Sequence, residues 1–201
     1  MESMTLTLNE VKENLTKVDF SKLPKPKKTN KGKRGQLLEL ALGIANTSKL
    51  TDCVDGELKS FTQGESIAVT QLKHVLPEII GDDFKTFSES KVGIKLRNTL
   101  YIGFDRENNY LGSVNLSETN NPEHYAMLEE DFEYIGHEIQ MRVIDGEKLS
   151  TITGLNGLLQ IRTKDSKDKK GNYHPIYYNG ELLSNKSYAF YLCGKFGREL
   201  L

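Results

Sequence analysis

Apolar residues recur at Leu6, Leu8, Val11, Leu15 and Val18, a spacing that predicts an amphipathic helix over Leu6 to Val18. The stretch Leu23-Pro24-Lys25-Pro26-Lys27-Lys28 breaks the pattern, and two prolines beside lysines make an extended arm. Gly32 to Gly35 reads as a hinge, and Gln36 to Ala45, nearly all apolar, as a buried helix. Asn46 to Gly56 reads as a loop with one short strand. Short apolar runs predict strands at Leu58 to Phe61, with Ser66 to Leu72 as its partner, and at Leu100 to Phe104, Leu158 to Thr163 and Tyr188 to Cys193. Between them lies a long amphipathic helix, Glu123 to Arg142, with Met127, Phe132, Ile135 and Ile139 inward and its acids outward. The pattern predicts a mixed α/β domain with helices packed on a central sheet.

Composition narrows the class. The 201 residues are 37% hydrophobic and 27% charged, a globular balance long enough to bury a core without disulfides or a structural metal. Cys53 and Cys193 form no CxxC pair. No stretch has the pattern of a signal peptide or a membrane span, so the expectation is a soluble cytoplasmic protein. The net charge of −1 conceals segregation. Lys17 to Arg34 holds eight bases and one acid, Glu118 to Glu133 six acids and no Lys or Arg, and Arg162 to Lys170 five bases and two acids. Screening limits each charge's reach to about 8–10 Å, so local patches attract a polyanion whatever the total.

Chemistry gathers between positions 39 and 59. Side chains alternate along a strand, so Glu57 and Lys59 face one way while Leu58 enters the core. Asp52, in the preceding turn, can reach back beside Glu57. Two carboxylates and the Leu58 carbonyl then offer hard oxygen ligands for Mg²⁺, and the Lys59 ammonium can orient an attacking water. Glu39 sits in an otherwise apolar helix, where a carboxylate needs a proton, a metal or a cation. The acid-x-Lys triplet occurs six times in the chain and is uninformative alone. Only Glu57/Lys59 has both a turn acid before it and an upstream acid in an apolar helix. The competing reading is a surface strand with a same-face ion pair, and Asp55-Gly56 also suits a plain turn.

RGQLLELALG (34–43), SK (48–49), DCVDGELKS (52–60), KLRNTLYIGF (95–104), LEEDFEYIGHEI (128–139), GLLQIRTK (157–164) and YAFYLCGKF (188–196) occur in one order. Together they resemble the MutH family: the mismatch-repair strand-nicking endonuclease and the related GATC-cutting type II restriction enzymes, within the PD-(D/E)xK superfamily. The resemblance covers residues 34 to 201. It implies a restriction-endonuclease-like α/β fold with two lobes around a DNA cleft, as an endonuclease domain over 35–201 behind a helix and basic Pro/Lys arm over 1–34. It implies Glu39, Asp52, Glu57 and Lys59 as the catalytic set, with Asp52 and Glu57 holding Mg²⁺. Asp52 lies five positions before Glu57, closer than in the repair enzyme, so Asp55 stays open as a substitute.

By the same resemblance, Arg162, Lys164 and Tyr191 contact DNA. Arg162 can take guanine O6 and N7, and Tyr191 lies near the recognised adenine. Each has a plainer reading, a cationic solvent face for the strand and a core aromatic for Tyr191. The basic arm, Lys25, Lys27, Lys28, Lys31, Lys33 and Arg34, either follows the duplex or keeps a tail solvated. His74, His124, His137 and His174 lack ligand spacing, and no P-loop, GxGxxG or GxSxG occurs. The expected function is a Mg²⁺-dependent, site-specific DNA endonuclease, foremost a type II restriction enzyme. It would act as a homodimer or a transient pair on double-stranded DNA, or by sequential nicks. The alternatives are a mismatch-repair nickase that needs an activator protein and, in another class, a DNA-binding module without catalysis.

Overall fold

Phe61 and Tyr101 face one side of a small sheet while Leu58, Leu100, Ile102 and Phe104 face the other, and both sides are buried. The computed structural model describes residues 6–25, 31–45, 48–165 and 167–201. The small sheet joins β1 (Glu57–Thr62), β3 (Asn98–Phe104) and β4 (Tyr110–Ser117), with β3 central, parallel to β1 and antiparallel to β4. A second, antiparallel sheet has the order β2 (Ile67–Gln71), β9 (Tyr188–Leu192), β6 (Leu159–Thr163) and β5 (Ile152–Thr153). A ribbon of β7 (Ile176–Tyr178) and β8 (Glu181–Ser184) stands apart.

Helices flank these sheets. α1 (Leu8–Leu15) starts at Thr7, whose side chain accepts the Glu10 N–H while the Glu10 carboxylate accepts the Thr7 N–H, a capping box. Its Leu8, Val11 and Leu15 pack with Leu38 and Leu42 around α2 (Lys31–Ala41) over the Leu58–Leu100 side of the small sheet. α3 (Leu76–Ile80) and α4 (Lys91–Leu96) follow β2. The 23-residue α5 (Pro122–Ile144) packs Phe132, Ile135 and Ile139 onto the larger core, which α6 (Gly194–Glu199) joins through Phe196. No helix among the described residues is long and apolar enough to cross a membrane.

Several expectations need correction. The strands divide between two sheets instead of forming one central sheet, and β1 pairs in parallel with β3, whereas β2 pairs with β9. A tight turn joins β1 to β2, with the Glu65 N–H on the Thr62 carbonyl and Gly64 at φ +81°, but β2 takes its ladder from β9. Gly32 to Gly35 is no hinge but the first half of α2. That helix ends at Ala41, short of Ala45, because Gly43 takes φ +79°. There the N–H of Ile44 reaches the Glu39 carbonyl and that of Gly43 the Leu40 carbonyl, a Schellman stop. Leu40 is therefore 75% exposed in a helix expected to be buried throughout. No strand occurs among the described residues of the 46–56 loop. Met127 is exposed, and Asp131, expected outward, is fully buried. Lys27 and Lys28 of the basic arm lie outside the described residues.

Candidate functional site

β1 is an edge strand, so the groups along its open side are free to meet side chains from other elements. Its pleat puts Glu57 and Lys59 on one face, and Lys59 Nζ lies 2.6 Å from Glu57 Oε1. The carboxylate is 1% exposed. A second ammonium, Lys95 of α4, lies 3.0 Å from the same oxygen. The other oxygen, Oε2, accepts the Asp52 N–H at 3.2 Å, and Asp52 Oδ2 in turn accepts the Leu58 N–H at 3.1 Å. This reciprocal pair of bonds fixes the turn acid beside the strand acid.

Asp55 serves a different purpose. Its Oδ1 accepts the Leu8 N–H at 2.8 Å, and its carbonyl accepts the Asn98 side-chain amide at 2.9 Å, which ties the turn to α1 and β3. The structure thus places Asp52, and not Asp55, against Glu57. Between them Cys53 is buried, and burial first, then the surrounding carboxylates, pushes its thiol up to about 12, far from a reactive thiolate.

Glu39 reaches this group from the last turn of α2, close enough for its charge to act on Asp52, Glu57 and Lys59. Its Oε1 would lie 3.9 Å from a Cβ at Gly35, and Ser60 Oγ 3.6 Å from the same point. Burial and then Asp52 raise the Glu39 carboxyl above the ordinary range, with Lys59 opposing. Burial and then Glu57 do the same to Asp52. Three carboxylates therefore face two ammonium groups, and two of the three hold their charge at a cost. That imbalance fits a divalent cation with hard oxygen ligands. Among the described residues no three His, Cys, Asp or Glu side chains gather tightly enough to enclose a metal. An ion here must complete its shell with water and substrate oxygens, as Mg²⁺ readily does.

The raised carboxyls give a signed expectation. A carboxyl whose pKa rises on folding leaves the native state holding more protons than the unfolded chain. Its stabilising contribution is full below the unfolded values of 3.8 for Asp52 and 4.5 for Glu39, and is lost as pH climbs through the raised native values. Relative to Asp52→Asn, the unsubstituted protein should lose stability in thermal melts as pH rises above about 4. Asp52→Asn should flatten that fall and melt higher at pH 8, by about 2–4 °C for each kcal/mol of repulsion relieved. Mg²⁺ should raise the pH 8 melting temperature of the unsubstituted protein more than that of the variant. A variant that melts lower at pH 8, with the pH slope unchanged, refutes this electrostatic picture.

A cleft of about 650 Å³ opens beside these groups, between the small sheet and the larger one. Gly32, Arg34 and Gly35 of α2 and Ser60 and Thr62 of β1 line one side; Ser66, Ala68, Arg162, Lys164 and Tyr191 line the other. Arg162 Nη1 donates to Ser66 Oγ at 3.1 Å, and its guanidinium lies 4.8 Å above the Tyr191 ring. β6 ends at Thr163, so Lys164 stands just past the strand, its N–H bonded to the Ser187 carbonyl at 2.9 Å. Burial and then Lys59 lower the Lys164 ammonium, which places this lysine within reach of the Lys59 charge. Arg34 donates to Thr62 and Asn108 and stacks 4.7 Å over Phe104, with its Nε buried and without a hydrogen-bond partner among the described residues.

All four catalytic candidates therefore share one neighbourhood, and the three DNA-contact candidates line the adjoining cleft. The histidines stay out of it: His124 stacks on Phe196, and His174 pairs with Asp165. Sequence reasoning missed Lys95 and Ser66. Lys95 stands in the KLRNTLYIGF stretch, but its tie to Glu57 spans 38 positions and depends on how α4 packs. Ser66 carried no signal at all. No family model matches the chain, and no curated protein matches it.

Proposed function

We propose that this protein is a Mg²⁺-dependent DNA endonuclease of the MutH-like type, with a PD-(D/E)xK fold whose two lobes flank a duplex, cutting at a short site for which GATC is the expectation. The observation that carries the reading is the meeting of Glu39, Asp52, Glu57 and Lys59 beside a cleft lined by Arg162, Lys164 and Tyr191. Asp52 and Glu57 would hold the ion. When bound, it would polarise the scissile phosphate and lower the pKa of a coordinated water.

The chain's own groups do the rest. Lys59, already hydrogen-bonded to Glu57, is placed to hold the attacking water and to offset charge on the phosphate oxygens. Water oxygen bonds to phosphorus and the bond to one ester oxygen breaks, so one product end keeps the phosphate and the other the hydroxyl. Glu39 adds negative charge beside Asp52 and Glu57 and strengthens cation binding. Arg162, stacked on Tyr191 and tied to Ser66, presents a preset guanidinium for a base edge. One such set cuts one strand per encounter, so double-strand cleavage requires a dimer, a transient pair or two nicks.

The test uses supercoiled plasmid in Mg²⁺. The protein should produce nicked and linear DNA with ends at GATC, EDTA should stop it, and Asp52→Asn should not cut. An inert protein, or equal cutting by Asp52→Asn, overturns the reading. Linear product without an added protein favours restriction, and nicking that needs a mismatch-repair activator favours repair. Metal-independent duplex binding with no cleavage favours a module without catalysis. If about six phosphates are contacted, log K should fall with log salt at a slope near −5.

A further inference from the structure

Beyond β6 the described residues of 164–174 form a turn that draws one of its two acids, Asp165, inward. Asp165, with its side chain 3% exposed, accepts the N–H groups of His174 at 2.6 Å and Ser187 at 3.0 Å, and its Oδ1 lies 2.7 Å from His174 Nδ1. Asp168 accepts the N–H groups of Lys170 at 2.8 Å and Asn172 at 2.9 Å, closing a loop in which Gly171 takes φ +83°. Both carboxylates are spent on the backbone. The outer face is mostly basic: Lys167, Lys169 and Lys170 are exposed with Asp168 among them, as is Lys186 from the neighbouring β8–β9 connection.

Tyr173 organises two of them. Its ring lies 4.6 Å from Lys186 Nζ and 5.4 Å from Lys167 Nζ, so one aromatic ring holds two ammonium groups. The His174 ring, held at Nδ1 by Asp165, turns its other nitrogen to solvent. Ser187 binds the turn to the start of β9, donating its hydroxyl to the His174 carbonyl and accepting the Lys164 N–H. The cationic surface is therefore continuous with the Arg162–Lys164 side of the cleft.

Two ammonium groups held on one ring, in a turn whose exposed bases outnumber its one exposed acid, match an anion with regularly spaced charges. We propose that the Tyr173 turn, with Lys167 and Lys186, extends the DNA interface beyond the cleft and grips duplex phosphates that flank the recognition site. The inference rests on the endonuclease reading and gives the protein a footprint longer than its recognition sequence.

The experiment compares the full chain with the Lys167→Ala/Lys186→Ala variant by fluorescence anisotropy in Ca²⁺. Two GATC-centred duplexes serve as probes, of about one and about three helical turns. The unsubstituted protein should bind the longer duplex more tightly. The variant should lose about tenfold on the longer duplex only, with its salt slope shallower by about 1.8 for two lost phosphate contacts. Lys167→Glu/Lys186→Glu should lose more, and unchanged melting temperatures exclude misfolding as the cause. An unaffected variant overturns this inference and leaves the endonuclease reading intact, and equal losses on both duplexes overturn it too by placing the lysines inside the cleft. Failure of the unsubstituted protein to bind either duplex overturns both. Binding of poly-glutamate as tightly as the long duplex, lost in the variant, assigns the turn to an acidic protein partner and overturns the proposal.

Discussion

Lys59→Ala should cut plasmid about 10²–10³-fold more slowly than the unsubstituted protein in Mg²⁺, with the loss in kcat and little change in melting temperature. The two halves of that expectation come from the same geometry. Lys59 is the ammonium whose charge acts on both Glu39 and Asp52, and it stands near enough to Lys164 for the two to repel. It is therefore the amine on the cleft side, where a water would attack. Glu57 does not depend on it for burial. After the substitution, Glu57 keeps Lys95 at 3.0 Å and the Asp52 N–H at 3.2 Å, so no carboxylate is stranded. Glu57→Ala is the less informative change. It leaves two ammonium groups, 20% and 16% exposed, without their shared partner, at about 3–5 kcal/mol, and inactivity would then mix chemistry with unfolding. Duplex binding in Ca²⁺ should survive Lys59→Ala within about tenfold, the effect of one lost charge among several. Cutting at the original rate would remove Lys59 from the chemistry.

What could be read from the chain was short in range. The two-residue period of a strand puts Glu57 and Lys59 on one face without any knowledge of the fold. Asp52 reaches Glu57 across five residues because the turn between them closes on its own backbone, the Cys53 N–H meeting the Gly56 carbonyl at 2.9 Å. The apolar triplet Leu8, Val11 and Leu15 gives α1 at the expected place, with Thr7 and Glu10 as its cap. Legibility fails where a distant element decides the environment. Whether β1 pairs with the next strand or with β3, some forty residues on, depends on which sheet covers which core, and local alternation is the same in both cases. The Gly43 stop was in plain view, but an apolar run through Ala45 hid it, and the helix that carries Glu39 ends a full turn early. Lys95 looks like any helix-surface lysine until α4 is packed against the strand acid. Both aspartates of the 164–174 turn count against a basic patch in a linear tally, yet three-dimensional folding buries the Asp165 side chain and ties the exposed Asp168 to backbone N–H groups.

Asp131→Ala should be the most damaging single substitution to the fold, lowering the melting temperature by on the order of 10 °C or more. In a helix whose neighbours Glu129, Glu130 and Glu133 suit solvent, periodicity assigns Asp131 outward. Instead it is fully buried, and its two oxygens accept three backbone N–H groups: Asn156 at 2.6 Å, Leu158 at 2.8 Å and Leu159 at 2.9 Å. These donors belong to the turn that starts β6, the strand bearing Arg162, and the strand's ladder does not serve them all. Removing the carboxylate leaves three polar groups to find partners in a closed space, each at about 1–3 kcal/mol. Asparagine restores part of the loss, since its oxygen still accepts while its NH₂ meets N–H groups that need an acceptor. Gly154 belongs to the same arrangement: a Cβ there would lie 2.2 Å from the Asp131 carboxyl carbon, so only glycine lets the turn approach. A double-mutant cycle exposes the coupling. Gly154→Ala should destabilise the unsubstituted protein strongly and an Asp131→Gly variant much less, because the carboxyl carbon and the Cβ that would lie 2.3 Å away have then both gone. Denaturant melts that place Asp131→Ala within about 1 kcal/mol of the unsubstituted protein, or find the two changes of the cycle additive, would remove Asp131 as the anchor of β6.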